Sequence, residues 1–337
     1  MHYILCKDKN WVSALTEEIK RDLSTDPEVL KGFPLLTINS SIDLKNKFLG
    51  FSTTALINSI PIKEESVGKQ ALEIMDLVKS KINGKAKINC HVFALTEKYG
   101  ILDSGRADIL KTKLISHFKK NEIFSLRKDF DRSLAFLQVM ILPDRSVVAS
   151  FLDENEIKDY HSLISPFVGG FNNVEDDKKA PSRAYRKIVE AQIILGKSFL
   201  ENQTVVDLGA CPGGWTYIAR KNGAKVIALD RSPLDESLMN DPKVSFLKTD
   251  AFKYRPEEKI DWAISDIICA PERILELIDF WVLEKACENF VFTIKFQGDK
   301  DYHILSKFKE IALRTGFTMI IKQLNANKNE VTVMGHE

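Results

Sequence analysis

From about residue 200 onward, short apolar segments alternate with longer amphipathic ones, an order typical of β-α-β units that build a parallel sheet. The short segments are rich in branched or aromatic residues and are flanked by turn formers, which favours strands. The predicted strands are Thr204–Leu208, Lys225–Asp230, Val244–Thr249, Ile260–Asp266 and Asn289–Lys295. The C-terminal half is therefore predicted to be an α/β domain.

The end of the chain departs from this alternation. Phe317–Leu324 and Glu330–Val333 are strand-like, and the five residues between them are too few for a crossover helix. These two segments are predicted to form an antiparallel hairpin. Helices are predicted at Ser182–Leu195, Trp215–Asn222, Pro271–Cys287 and Asp301–Thr315.

The N-terminal half has a mixed pattern, which predicts small α+β modules at residues 1–63 and 64–155. Its predicted strands are His2–Cys6, Leu35–Asn39, Ser52–Ile57, Lys87–Leu95, Ala135–Leu142 and Val147–Leu152, and its predicted helices are Trp11–Leu23, Ser66–Ile82 and Ala107–Lys120. Residues 156–179 are polar and end in a charged run, so we expect a linker there, followed by a domain at residues 180–337.

Composition narrows the functional class. The net charge of +1 over 337 residues excludes a uniformly basic protein surface. Any site that binds a polyanion must therefore be a local basic patch. No apolar stretch approaches the ~18 residues of a membrane span, and the N-terminus lacks the features of a signal peptide. Five cysteines without a C-x-x-C pair argue against a disulfide framework or a structural zinc site. We expect a cytoplasmic protein with no membrane partner and no metal.

A glycine-rich loop follows the first predicted strand of the C-terminal domain, with the sequence Asp207-Leu208-Gly209-Ala210-Cys211-Pro212-Gly213-Gly214-Trp215. Glycines at such a turn let the backbone approach a ligand closely, and the next helix N-terminus offers free N–H groups to an anion. The spacing is not G-x-G-x-x-G, and Asp207 would repel a pyrophosphate but attract an amine. An anionic or zwitterionic ligand is expected.

The second and third predicted strands each lead to an aspartate. Asp230 can accept hydrogen bonds from both hydroxyls of a ribose, and Asp250 would lie near the edge of an adenine. Amine, carboxylate, ribose and adenine together describe S-adenosylmethionine better than NAD. A nicotinamide-dependent dehydrogenase is an alternative, since Asp230 also suits its ribose, and both aspartates could instead simply cap turns.

With this loop, the chain resembles the FtsJ-type RNA ribose 2'-O-methyltransferases from about Ala180 to the C-terminus. The resemblance implies a Rossmann-like methyltransferase sheet with a terminal antiparallel strand, in agreement with the predicted hairpin. It also implies S-adenosyl-L-methionine as the cofactor. The implied cofactor-binding residues are Asp207, Gly209, Ala210, Cys211, Pro212, Gly213, Gly214, Trp215, Asp230, Asp250 and Asp266.

Four further segments resemble the Lys-Asp-Lys-Glu tetrad of that family: Ser182-Arg183-Ala184-Tyr185-Arg186-Lys187, Ser265-Asp266, Ile294-Lys295-Phe296-Gln297-Gly298 and Glu330-Val331-Thr332-Val333. A ribose 2'-hydroxyl needs a base to attack a methyl group, and a lysine serves only when it is neutral. The resemblance implies that Lys295 is this base, that Asp266 orients it, that Lys187 steers the hydroxyl, and that Glu330 positions the ribose or Lys187. A non-catalytic alternative exists for each residue taken singly. A lysine at the end of a strand is more often simply exposed to solvent, and Asp266 could cap a helix.

The overall layout resembles the RlmM branch of this family, bacterial 23S rRNA cytidine 2'-O-methyltransferases with a ferredoxin-like segment and a THUMP RNA-binding module. The resemblance implies these two modules at residues 1–63 and 64–155, and large-subunit rRNA as the partner. Residues 104–132 have a net charge of +4 and are a candidate RNA-binding strip, although a solvated helix face would look the same.

One alternative to an active enzyme is an RNA-binding or ribosome-assembly factor with a methyltransferase fold, against which the intact tetrad argues. Amino-methylating enzymes would show Pro-Pro and an aromatic residue after the fourth strand. The segment Ser265-Asp266-Ile267-Ile268 lacks this pattern, which favours methylation of oxygen.

Overall fold

A computed structural model describes residues 1–82, 84–96, 100–102, 105–125, 130–172 and 174–337. The chain divides into two compact units, Met1–Asn172 and Asn173–Glu337. Within the described ranges, no helix combines the length and the apolar character needed to cross a membrane.

The first unit contains two sheets. The smaller sheet has the strand order β2-β3-β1-β4 and one accompanying helix. Its elements are β1 (His2–Cys6), α1 (Val12–Leu23), β2 (Glu28–Val29), β3 (Leu35–Ile38) and β4 (Ser52–Leu56). The larger sheet has the order β5-β10-β9-β6-β7, with β8 paired to β6. Its elements are β5 (Ile60–Ile62), α2 (Val67–Lys81), β6 (Ala86–Thr96), β7 (Gly100–Leu102), α3 (Gly105–Lys120), β8 (Ile123–Ser125), β9 (Phe136–Ile141) and β10 (Val147–Leu152).

The centre of the larger sheet is buried on both faces, since every residue of β9 and β10 is buried. Along β6, Val92 and Ala94 pack with the helices α2 and α3, whereas Phe93 and Leu95 pack with residues of the smaller sheet. Successive side chains of a strand point to opposite faces, so one strand contributes to two cores. The two N-terminal modules expected from the sequence thus share a core, and β5 pairs with β10 of the larger sheet although it lies before residue 63.

Much of the segment expected to be a linker is packed. Ile157, Tyr160 and Leu163 are buried, and Leu163 O accepts a hydrogen bond from Ala55 N of β4 at 2.9 Å. Residues up to Asn172 therefore belong to the first unit. The segment is polar on average, so its few apolar residues did not stand out in the sequence. The burial of these apolar residues stabilises the segment against the first unit.

The second unit is built on one seven-stranded sheet with the order β13-β12-β11-β14-β15-β17-β16. The five strands from β13 to β15 are parallel, and β17 runs antiparallel to both of its neighbours. The strands are β11 (Thr204–Leu208), β12 (Lys225–Asp230), β13 (Val244–Lys248), β14 (Ile260–Ser265), β15 (Cys287–Lys295), β16 (Thr318–Lys322) and β17 (Glu330–His336). The helices are α4 (Tyr185–Leu195), α5 (Gly214–Lys221), α6 (Glu236–Met239), α7 (Arg273–Ile278) and α8 (Leu305–Ala312). The predicted α/β class, parallel strands and terminal antiparallel pair are confirmed.

The helix predicted at Pro271–Cys287 is wrong in extent. The α-helix ends at Ile278 and continues as a π-helical turn, Asp279–Leu283, after which Cys287 already pairs with Ile260 in the sheet. Glu284, Lys285 and Ala286 are favourable helix residues, but Lys285 adopts a φ of +57°, which ends the helical conformation before β15.

Candidate active site

A cavity of about 580 Å³ lies at the carboxyl ends of the parallel strands. Loops that follow β11, β12, β13 and β14 form its walls, together with the end of β15 and the segment before α4. This is the edge at which open α/β sheets bind ligands. Its lining residues are Ser182, Ala184, Gly209, Cys211, Pro212, Leu229, Asp230, Arg231, Thr249, Asp250, Ala251, Phe252, Asp266, Ile267, Ile268, Cys269, Arg273 and Lys295.

The glycine-rich loop leaves no room for side chains where it turns. Gly209 has a φ of +78°, and a Cβ there would lie 2.9 Å from Ile267 Cβ. A Cβ on Gly214, the first residue of α5, would lie 2.4 Å from Ser182 Oγ. Gly209 requires glycine for conformation and for space, and it leaves bare backbone at the cavity wall, whereas a side chain at Gly214 would force the Ser182 hydroxyl to rotate away.

Asp230 and Asp250 line the cavity and also cap the turns that follow their strands. Asp230 accepts hydrogen bonds from Cys211 N at 3.0 Å and from Ser232 N at 2.9 Å. Asp250 accepts one from Phe252 N at 3.1 Å. The turn-capping interpretation and the ligand-binding one are thus compatible, because each carboxylate has two oxygens with several lone pairs.

The four tetrad residues, although distant in the sequence, form one cluster. Lys187 Nζ lies 2.9 Å and 3.0 Å from the two carboxylate oxygens of Asp266, and 2.6 Å from Glu330 Oε2. Lys295 Nζ donates to the backbone oxygen of Asp266 at 2.6 Å, and lies 3.2 Å from Asp266 Oδ1 and 4.0 Å from Glu330 Oε1. The side chains are only 10–19% exposed, and the cluster pairs two lysines with two acidic residues.

The fold explains this convergence. Asp266 follows β14, Lys295 ends the adjacent parallel strand β15, and Glu330 begins β17 directly opposite Lys295 because β17 runs the other way. Lys187 reaches them from the first turn of α4. Only Asp266 and Lys295 of the four line the cavity, so the cluster presents one lysine to a ligand and holds the other behind it.

The cavity fits S-adenosylmethionine. Such a ligand needs a loop whose backbone can approach it closely and carboxylates at the ends of two strands, and the cavity has both. Its volume also lies within the ~300–1,000 Å³ of typical ligand sites. Two of the tetrad residues, Asp266 and Lys295, belong to the wall of this cavity.

Residues 180–327 match the model of the FtsJ-like methyltransferase family. Over 300 residues the chain is 31% identical to the ribosomal RNA large subunit methyltransferase M of Tolumonas auensis, covering 82% of this chain and 81% of that protein. The chain belongs to this family of FtsJ-like methyltransferases. The protein of the same name from Shewanella pealeana is 29% identical, covering 90% of this chain and 89% of its own. That of Laribacter hongkongensis is 34% identical over about half of each chain, 50% and 51%.

Membership decides between the alternatives left open by the sequence. The protein is a methyltransferase that uses S-adenosylmethionine, and not an NAD-dependent dehydrogenase.

In this FtsJ-like methyltransferase, the cavity brings together only some of the predicted cofactor residues. The lining includes Gly209, Cys211, Pro212, Asp230, Asp250 and Asp266, and does not include Asp207, Ala210, Gly213, Gly214 or Trp215. Trp215 is buried, and its Nε1 donates to Ala184 O at 2.9 Å, so it joins the start of α5 to the start of α4.

Asp207 is placed in the interior of the methyltransferase unit, 2% exposed, and not at the cavity wall. It accepts a hydrogen bond from Thr216 Oγ1 of α5 at 2.7 Å. Burial raises the pKa of Asp207 to about 7, and the hydrogen bonds from Thr216 oppose that rise. The position of Asp207 beside the loop suggests a ligand contact, but its side chain is directed away from the cavity wall and toward Thr216 of α5.

Several residues of the cavity wall in this methyltransferase are not among the predicted site residues. Phe252 follows Asp250, and the guanidinium carbon of Arg273 lies 3.7 Å from the centroid of the Phe252 ring. Ile267 and Ile268 follow Asp266. Their positions directly after β13 and β14 were the available signal, because loops at that edge face the ligand.

Proposed function

We propose that the protein transfers the methyl group of S-adenosylmethionine to a ribose 2'-oxygen of RNA, namely a cytidine of large-subunit ribosomal RNA. The observation that carries the proposal is the Lys187, Asp266, Lys295 and Glu330 cluster, which reaches the cavity wall through Asp266 and Lys295. When bound, S-adenosylmethionine supplies an electrophilic methyl group. The residues proposed to hold it are Gly209, Cys211, Pro212, Asp230 and Asp250.

Within the cluster, Lys295 is the proposed general base. It lines the cavity, whereas Lys187 is held by two carboxylates at 2.9 Å and 2.6 Å and does not. Lys295 in its neutral form would accept the proton of the 2'-hydroxyl at Nζ, while the backbone oxygen and carboxylate of Asp266 orient it. Lys187 and Glu330 would fix Asp266 and the ribose.

Two observations support an RNA substrate. The relatives named above are large-subunit ribosomal RNA methyltransferases. The first unit exposes the lysines of α3, which suit a local polyanion site on a chain whose net charge is only +1. A substrate of this kind, together with five cysteines that are all free thiols, supports action in the cytoplasm.

The test is Lys295→Ala, with Lys225→Ala as the matched control. Lys225 is also a strand-terminal lysine of this sheet, but it begins β12 at the opposite edge. Transfer of labelled methyl groups to unmethylated large-subunit rRNA should fall about 10²–10⁴-fold in Lys295→Ala, with binding of S-adenosylhomocysteine and RNA retained, and should be unchanged in Lys225→Ala.

The position of the label tests the chemistry separately. A methyl group on a ribose 2'-oxygen makes the adjacent phosphodiester resistant to alkaline hydrolysis, whereas a base methyl group does not. Label recovered only in alkali-sensitive nucleotides, or a Lys295→Ala enzyme with more than a tenth of the wild-type rate, would refute the proposal.

A further inference from the structure

Glu190 is a buried carboxylate on the same helix as Lys187, three residues later and so on the same face of α4. It is 1% exposed and does not line the cavity. Its Oε1 accepts hydrogen bonds from Asn325 N at 2.8 Å and Asn325 Nδ2 at 3.0 Å, and its Oε2 accepts one from Ala326 N at 3.2 Å. The helix is thereby joined to the loop between β16 and β17.

The other end of that loop leads directly to the tetrad. Asn327 Nδ2 donates to the backbone oxygen of Glu330 at 3.2 Å. Asn329 Nδ2 donates to Phe296 O at 3.0 Å, and Phe296 N donates to Asn329 O at 3.0 Å, so the loop is also fixed to the residue after Lys295. One short loop therefore connects α4 with β17 and with the end of β15, the strands that contain Glu330 and Lys295.

We propose that Glu190 is a positioning residue for methyl transfer, which sets the spacing between Lys187 and Glu330. The inference rests on the proposed function, because it assigns Glu190 to the support of that same cluster. Charge-assisted hydrogen bonds from backbone N–H groups are short and strong, and a buried carboxylate without such donors is costly. A shift of α4 relative to the loop would break these bonds and separate Lys187 Nζ from Glu330 Oε2, which lie 2.6 Å apart.

Two substitutions remove the contacts in graded fashion. In Glu190→Gln the side-chain oxygen can still accept hydrogen bonds from Asn325. The new amide nitrogen faces Ala326 N, and because both groups are donors, no hydrogen bond forms between them. Glu190→Ala removes all the contacts of this carboxylate. The matched control is Gln192→Ala on the same helix. Gln192 is also buried and accepts a backbone hydrogen bond, from Phe199 N at 2.8 Å, but that loop leads to the amino end of β11.

We expect kcat to fall about tenfold in Glu190→Gln and about a hundredfold in Glu190→Ala, equivalent to about 1.4 and 2.7 kcal/mol of barrier. The Kd of S-adenosylhomocysteine should stay within twofold of the wild type, and the pH–rate profile should shift because the neighbours of Lys295 have moved. Gln192→Ala should lower the melting temperature but leave kcat and the pH profile unchanged.

A wild-type kcat and pH profile in folded Glu190→Gln would overturn the inference, as would an equal loss of kcat in Gln192→Ala. A crystal structure of Glu190→Gln tests it without any activity measurement. Separation of Lys187 Nζ and Glu330 Oε2 beyond 4 Å supports the inference, and retention of their contact contradicts it. If the wild-type enzyme methylates no ribose, the proposed function fails while this structural result still decides the role of Glu190.

Discussion

The environment of Asp207 determines its ionisation more than its residue type does. A carboxylate beside a ligand loop suggests a partner for an amine, yet Asp207 is buried against Thr216 of α5. Burial favours the uncharged acid, which is why the pKa of Asp207 rises to about 7. The methyltransferase unit therefore folds around a side chain that is partly protonated near neutral pH.

This burial predicts a pH-dependent effect of Asp207→Asn. An acid whose pKa is higher in the folded protein binds an extra proton on folding between about pH 4 and pH 7, so the free energy of unfolding falls as pH rises through that window. The amide does not titrate, and Asp207→Asn should therefore gain stability relative to the wild type on going from pH 5 to pH 8. Urea unfolding followed by tryptophan fluorescence measures this, because Trp215, Trp262 and Trp281 all lie in this unit.

Asp235→Asn is the control for this experiment. Hydrogen bonds from Ser237 lower the pKa of Asp235, which caps the N-terminus of α6, so this group stays ionised in both states over the same range. Its substitution should change stability equally at pH 5 and pH 8. Equal effects of pH on the two variants would contradict the assignment of a raised pKa to Asp207.

At the scale of the element, β17 is decisive because it reverses direction beside β15. The reversal brings Glu330, its first residue, opposite Lys295, the last residue of β15. Near its other end, β17 passes its neighbours so closely that a Cβ on Gly335 would lie 2.9 Å from Phe290 Cε1 and 2.9 Å from Thr318 O. Glycine is required there for space, since backbone atoms cannot move aside as a flexible side chain can.

We expect Gly335→Ala to lower the free energy of unfolding of this unit by about 1–3 kcal/mol, the usual effect of overpacking. Gly316→Ala serves as the control, because its Cβ would meet no atom within 4 Å just before β16. That change should stay within about 0.5 kcal/mol of the wild type. Urea midpoints by tryptophan fluorescence compare the two, and equal midpoints would show that β17 tolerates the methyl group.

At the scale of the whole molecule, a net charge of +1 means that RNA affinity must come from local patches. In the strip at residues 104–132, Arg127, Lys128 and Asp129 lie outside the described residues. Arg106 donates to Gln70 Oε1 and Arg132 donates to His161 O, so both are engaged within their unit. The remaining basic side chains of the strip are exposed lysines of α3: Lys111, Lys113, Lys119 and Lys120.

The double variant Lys119→Ala, Lys120→Ala should therefore weaken binding to large-subunit rRNA and reduce the slope of log K against log salt by about one per lysine. Binding of S-adenosylhomocysteine should not change. The control is Lys20→Ala, Lys47→Ala, which removes the same charge from other exposed positions of the first unit. Filter-binding or fluorescence titrations at several salt concentrations measure the slopes, and identical slopes for the two double variants would exclude α3 from the RNA-binding surface.

Features that depend on local pattern can be predicted from the amino-acid sequence. Strands such as β11 and β12 were predicted to the residue, and the glycine-rich loop and the terminal hairpin followed from turn chemistry and segment length. Which side chains meet depends on contacts between distant segments, and these are visible in the folded protein alone. Lys187 and Asp266 are 79 residues apart, Glu190 contacts a loop 135 residues away, and Asp207 lies under α5. Periodicity specifies the elements, whereas the direction and partners of each side chain are set by packing between segments that are distant in the chain.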